Sequence, residues 1–192
     1  MNPRVKNVEK HLLSDNWYKL HKVTFEYKKK NGEWETQHRE AYDRGNGAAI
    51  LLYNKDQKTV ILTQQFRMPT YVNGNETGLM IEACAGIIDD HDAEECIRRE
   101  TEEETGYKVS HVQKVLELYM SPGSVTEILH LFVAEYTKEH KMTEGGGLEH
   151  EEEEIDVLEI PFAQALEMVK TREIKDGKTV LLLQYAQLHG LI

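Results

Sequence analysis

Residues Arg98–Tyr107 read RRETEEETGY, four carboxylates and two arginines in a run of ten that closes on a glycine and an aromatic. Like charge packed this densely is costly unless it is divided between faces. The run continues a helix expected over Asp92–Thr105. At about 100° per residue, Ala93, Cys96, Ile97, Glu100, Glu103 and Glu104 share one side of it, while Glu95, Arg98, Arg99 and Glu102 turn away. Glu94, Glu95 and Glu102 read as a solvated surface. Glu100 and Glu104 do not, because they sit one turn apart within the apolar stripe. There they repel each other and lose hydration unless a cation neutralises them. Carboxylate and carbonyl oxygens suit Mg²⁺, or Mn²⁺ in its place, and no His/Cys spacing points to zinc. Magnesium keeps some of its waters, which leaves positions for substrate phosphates.

The segments on either side extend this reading. AGIIDDHD, residues 85–92, runs from a strand through a glycine into the helix. It is expected to bring the Ala85 carbonyl and the amides of Gly86 and Ile87 near the glutamates, as a mouth for metal and phosphate. Downstream, EGGGLEHEEEE (residues 144–154) is rich in glycine and acid. Its bland reading is a solvated loop; its three glycines also make it a segment able to close over a metal cluster.

The whole chain, 192 residues with a net charge of −11, has room for a core domain plus a small accessory lobe. So acidic a protein is a poor partner for nucleic acid or an anionic membrane. No run of about 18 apolar residues suggests a membrane span, and no basic start followed by an apolar stretch suggests a signal peptide. Cys84 and Cys96 lie in core-like segments and read as buried thiols, in keeping with a reducing cytoplasm.

KLHKVTFEYKKK and EWETQHREAYDR alternate in the manner of strands around Asn31-Gly32, a two-residue turn in which both positions need positive φ. Residues 15–44 therefore read as an antiparallel hairpin, in a lobe (1–44) that must lean on the rest of the chain or on a second copy. Beyond the glycine-marked boundary RGNG, residues 45–192 read as a mixed α/β domain. AAILLYN and TVILTQQF are core strands, LMIEACAGI is another, and strands follow near Val112–Met120 and Leu129–Tyr136. After the acidic loop come a short strand, IDVLEI, a helix opening at Pro161 and a helix after Asp176-Gly177.

Gly86–Tyr107, GIIDDHDAEECIRRETEEETGY, resembles the signature of the Nudix hydrolases. That pattern runs from a glycine, past an acidic residue, to Arg-Glu, an aliphatic, any residue, Glu-Glu, any residue, Gly and an aliphatic. Arg99, Glu100, Glu103, Glu104 and Gly106 match in order. The stretch from Gly86 to Arg99 is one residue short, Asp92 stands where a glutamate is usual, and Thr101 replaces the aliphatic. LLSDNW, HREAYDRGNGAAILLYN, QQFR, NGNETGLMIEACAGIID, ELYMSPGSVTEILHLF, GGGLE and DGKT extend the likeness to a branch of that family, the bacterial GDP-mannose pyrophosphatases, relatives of the ADP-ribose pyrophosphatases.

The resemblance implies an α/β/α sandwich, a homodimer that exchanges its N-terminal sheet lobes, and hydrolysis of a nucleoside diphosphate sugar to a nucleoside monophosphate and a sugar phosphate. It implies metal ligands at Ala85, Glu100, Glu103, Glu104 and one loop glutamate, Glu151, which also serves as base; Glu152 and Glu153 are its alternatives. Arg67 is expected at the diphosphate, since a guanidinium matches phosphate oxygens bidentately. Glu127 is expected to hydrogen-bond the substrate, and His150 and Lys178 to reach the sugar or a phosphate. Trp17, with His38, Arg39 and Glu40, is expected at the nucleotide end, the indole stacking on the base. Each has a plainer reading: His38, Arg39 and Glu40 as charges that protect an edge strand, Arg67, Glu127 and Lys178 as ordinary surface or helix charges. The box reads only the diphosphate, so ADP-ribose and uridine diphosphate sugars stay open as substrates. A catalytically silent nucleotide-sugar or metal sensor is the rival from another class.

Overall fold

The computed structural model describes residues 2–89, 92–148 and 153–192, which form two compact units. The first comprises the chain up to Asn46 together with Tyr119–Ile128. It holds an antiparallel three-stranded sheet in the order β1 (Val5–Asp15), β2 (Lys19–Lys28), β3 (Trp34–Asp43). The β2–β3 hairpin is as expected, but its turn is not of the two-residue kind. Gly32 alone takes positive φ, and its amide donates to Lys29 O at 3.0 Å, so the loop is a turn completed by a left-handed glycine. β1 was not expected. Its register shifts between Lys6 and Glu9 and again between Leu12 and Ser14, and Asn7 sits at φ 53°, so the period-two pattern is broken twice. Tyr119–Ile128 joins this sheet through Tyr42, whose amide donates to Ser124 O at 2.8 Å and whose carbonyl accepts from Thr126 N at 3.0 Å.

The second unit is built on a mixed seven-stranded sheet. β4 (Gly47–Asn54) and β5 (Thr59–Phe66) form its centre; the polar turn between them is held by Asn54 Oδ1, which accepts from the amides of Asp56 and Gln57 at 3.0 and 2.9 Å. A single turn of helix, α1 (Met68–Val72), precedes β6 (Leu79–Glu82) and β7 (Cys84–Ile87). The run LMIEACAGI is thus two strands rather than one. It changes partner at Ala83: β6 pairs with β5 and β7 with β4. Helix α2 (Ala93–Thr105) leads to β8 (Gln113–Leu118) and β9 (Leu129–Glu135), the latter parallel to β4. β10 (Asp156–Pro161) closes the order β10-β5-β4-β9-β8, and helices α3 (Phe162–Lys170) and α4 (Gly177–Leu188) end the chain.

All of β4 is buried, so the sheet is covered on both sides. Ala48, Ile50 and Leu52 share a core with Ile97 of α2, Phe132 and Tyr136. Ala49 and Leu51, the alternate residues, are equally buried, and α4 packs against the same strand. Both cysteines are buried free thiols. Among the described residues no helix is long and apolar enough to cross a membrane.

Candidate active site

The site begins with the two ends of α2. Asp92, where the family pattern carries glutamate, is its N-cap and accepts from the amides of Glu94 and Glu95, both at 2.9 Å, a cap worth about 1 kcal/mol. Gly106, left-handed at φ 75°, closes the other end and passes so near Thr143 O that no Cβ fits. Between them Cys96, Ile97, Thr101, Glu104 and Thr105 are buried. Thr101 fits where an aliphatic is usual because its hydroxyl donates to Ile97 O at 2.5 Å and so brings no unpaired polar atom inside.

Glu104 is 1% exposed and its Oε2 accepts from the Ala85 amide at 3.3 Å. Burial pushes its carboxyl up to about 8; a hydrogen bond with the Cys84 thiol opposes this, and the charges of Glu100 and Glu153 add to it. Glu100 lies one turn earlier, against the backbone of Gly86, in space that a side chain there would fill. Burial raises it to about 7, against the Arg99 hydrogen bond and with the charge of Glu103. Arg99 ties the acidic residues around it together. It reaches Asp89 Oδ2 at 3.0 Å, Glu100 Oε1 at 3.4 Å and Glu103 Oε2 at 3.8 Å.

The glycine-rich loop runs over the end of this helix. Gly145, Gly146 and Gly147 all have positive φ, and the amides of Gly146 and Gly147 donate to Glu104 O at 2.9 Å and Glu103 O at 3.2 Å. A Cβ on Gly145 would stand 2.5 Å from Glu104 O, so this close passage requires glycine. His150 and Glu151 lie outside the described residues. The described chain resumes at Glu153, whose Oε2 accepts from the Leu148 amide at 3.4 Å and whose charge acts on both Glu100 and Glu104. Among the described residues no three His, Cys, Asp or Glu side chains are already gathered in metal-holding geometry.

A family model described as NUDIX domain matches residues 43–183. The chain belongs to the Nudix family. A second model, the GDP-mannose pyrophosphatase NudK N-terminal domain, matches residues 4–42. The chain is 56% identical over 192 residues, all of both chains, to a GDP-mannose pyrophosphatase of Yersinia enterocolitica. It is 55% identical over the same span to one of Escherichia coli O157:H7, and 57% identical over 189 residues to one of Yersinia pestis, covering 98% and 94% of the two chains.

Within the Nudix unit, therefore, the structure places Ala85, Gly86, Ile87, Glu100, Glu103 and Glu104 around one strand and one helix face. Arg67 and Lys178 belong to the same unit, and both bind a residue that the sequence reading missed. Glu82 accepts from Arg67 Nε at 3.0 Å, Arg67 Nη2 at 2.9 Å and Lys178 Nζ at 2.8 Å. Burial pushes the Glu82 carboxyl up, but its two cationic partners outweigh that and hold it at about 2. Its signal in the sequence is its place as the one charge inside LMIEACAGI. In the N-terminal unit Trp17 is 82% exposed, His38 Nδ1 lies 3.0 Å from Thr24 Oγ1, and Arg39 Nη1 donates to His38 O at 2.7 Å. Glu40 is exposed opposite Lys22, and Glu127 faces Arg44 Nε at 3.5 Å.

Proposed function

We propose that this Nudix chain hydrolyses the diphosphate of a nucleoside diphosphate sugar, with GDP-mannose as substrate and GMP and mannose 1-phosphate as products. The observation that carries the proposal is end-to-end similarity, 55–57% identical, to proteins named GDP-mannose pyrophosphatases, with the N-terminal domain matched as well as the Nudix domain.

Nudix hydrolases require a divalent metal ion, and the residues present fit one. Glu104 is a buried acid and Glu100 a half-buried one, their charges oppose each other, and the donors around them are hard oxygens. We assign Mg²⁺, with Mn²⁺ as substitute, to Glu100, Glu104, Glu103, the Ala85 carbonyl and Glu151. When bound, it supplies positive charge to the diphosphate and lowers the pKa of the attacking water. The protein does the rest by position. Glu151 takes the proton of the water as its oxygen bonds to phosphorus and the bridging oxygen departs with the other phosphate. Arg67 and Lys178 receive the phosphate oxygens, beside the backbone of Gly86 and Ile87, with His150 and Glu127 on the substrate. Trp17 stacks on the base, and His38, Arg39 and Glu40 supply the donors and acceptor that separate guanine from adenine. We assign the working form to a homodimer in which N-terminal lobes are exchanged, and its setting to the reducing cytoplasm, which suits two free thiols.

The test is a side-by-side assay of purified protein with Mg²⁺ and GDP-mannose, ADP-ribose or a uridine diphosphate sugar, with products separated by ion exchange. GDP-mannose should give GMP and mannose 1-phosphate at the highest kcat/KM. A clear preference for ADP-ribose would overturn the substrate, and tight binding without cleavage would overturn the enzyme.

A further inference from the structure

Glu82 is 4% exposed, and nothing in the metal chemistry uses it. Its two carboxylate oxygens are shared between two cations that come from distant parts of the chain. Arg67 follows β5 and grips both oxygens with Nε and Nη2; Lys178, in the first turn of α4, takes Oε2. Lys178 Nζ also lies 3.2 Å from Asp176 Oδ1. The other oxygen of Asp176 accepts from the amide and hydroxyl of Thr179 at 2.9 and 2.6 Å, and Thr179 Oγ1 accepts from the Ala83 amide at 2.6 Å. The start of α4 is thus tied to the strand that leads into Ala85 and Gly86.

A buried ion pair adds little stability over apolar side chains of the same volume, so stability alone is a weak reason for this one. Direction is a better reason. With Nε and Nη2 held, the Arg67 fork has one orientation, and its remaining nitrogen, Nη1, has no hydrogen bond among the described residues. The Arg67 side chain is 39% exposed, so that free edge is open to a ligand, and the charge of Glu104 acts on it. Arg67, fixed where the charge of Glu104 acts on it, offers its free edge to a diphosphate oxygen at little cost in side-chain ordering, and Lys178, its side chain 13% exposed, is fixed on the same Glu82 carboxylate.

We propose that Glu82 is a positioning residue that holds Arg67 and Lys178 as one rigid cationic pair for the substrate diphosphate. This rests on the hydrolase reading above. Steady-state kinetics with GDP-mannose and Mg²⁺ on Glu82→Gln, Glu82→Asp, Arg67→Ala and the double variant Glu82→Gln/Arg67→Ala test it, together with Mn²⁺ dissociation constants measured without substrate. Glu82→Gln should raise KM by about tenfold or more while kcat falls only a few-fold, with Glu82→Asp in between. In the Arg67→Ala background Glu82→Gln should add less than about twofold, because both changes remove the same contact. Mn²⁺ affinity should be unchanged throughout.

Wild-type KM in folded Glu82→Gln, effects that multiply in the double variant, or loss of Mn²⁺ affinity would each overturn the positioning role. If Glu82→Gln does not fold, Glu82→Asp decides, and a wild-type KM there overturns it. Should the wild-type protein prefer another nucleoside diphosphate sugar, the substrate assignment fails, yet the same variants measured on that sugar still decide the role of Glu82, since the diphosphate is common to both.

Discussion

The Glu100 carboxyl group lies across the backbone of Gly86, so close that a Cβ added to the glycine would stand 2.2 Å from Glu100 Cδ. A strand and a helix that are 14 residues apart at this point, counted from 86 to 100, are therefore matched by one missing side chain. Gly86→Ala should push the carboxylate aside without dismantling the sheet, since what yields is the end of a flexible side chain. We expect turnover to fall about a hundredfold and stability to change by about 1 kcal/mol or less. Thermal melts and kcat on the same preparation check this, and wild-type turnover would remove Gly86 and Glu100 from the site.

Glu104→Gln keeps the shape and the acceptor for the Ala85 amide but deletes the charge. Because burial raises the folded-state pKa of Glu104 to about 8, its ionised form opposes folding. The sign is that of a penalty absent below about pH 4.5, growing as pH rises and complete above about pH 8. Freed of metal by a chelator, Glu104→Gln should be more stable than wild type at pH 8.5 by about 1–3 kcal/mol, and the gap should close near pH 4.5. Added Mg²⁺ should reverse the order, stabilising only the wild type. Turnover of Glu104→Gln and Glu100→Gln should drop by orders of magnitude, while Glu95→Gln, on the exposed face, should match wild type.

Base selectivity is expected to reside in β3. Glu40 is an acceptor suited to the N1 and N2 groups of guanine, which adenine does not offer, and each unpaired site group costs about 1–3 kcal/mol. GDP-mannose should therefore be cleaved with a kcat/KM about tenfold or more above ADP-mannose. Glu40→Ala should shrink that ratio and leave Mn²⁺ affinity alone; an unchanged ratio would take Glu40 out of base recognition.

Assembly is open to a direct measurement. Light scattering after size exclusion should give the mass of a dimer, and a monomer at working concentrations would count against lobe exchange. Deleting residues 1–44 should leave an aggregation-prone or monomeric protein of poor activity. Tyr119–Ile128 would then lose the strand it pairs with at Tyr42.

Much of this was legible because sequence pattern and structure share a period. The helical spacing of Ile97, Glu100 and Glu104 places the carboxylates where α2 puts them, and β2 and β3 pair without a register shift from Lys19 opposite Asp43 to Lys28 opposite Trp34. β1 was illegible because Asn7 and two register shifts break its alternation. The division of LMIEACAGI at Ala83 leaves no turn signal, since no Gly, Pro, Asn or Asp stands there and the partners of the two halves, β5 and β4, are set by tertiary pairing. Glu82 was overlooked for a similar reason: its partners, Arg67 and Lys178, lie 15 and 96 positions away. The expected base, Glu151, falls outside the described residues, as does Glu152; among the described loop acids, Glu153, weighed as an alternative, has a charge that reaches both Glu100 and Glu104.

The N-terminal unit is made from two stretches of chain, and that has a consequence for its birth on the ribosome. Tyr42 and its partner Thr126 are 84 positions apart. The hairpins of β1–β3 form from local contacts as soon as they emerge, but the sheet stays without its last segment until β4 to β8 have been made. During that interval Val8, Leu12 and Leu13, still largely exposed in the finished fold, sit on a sheet that lacks one of its own pieces. Translation must pass Ile128 before the lobe closes, so nascent chains arrested earlier should be cut by protease in residues 1–46 much faster than chains arrested after it.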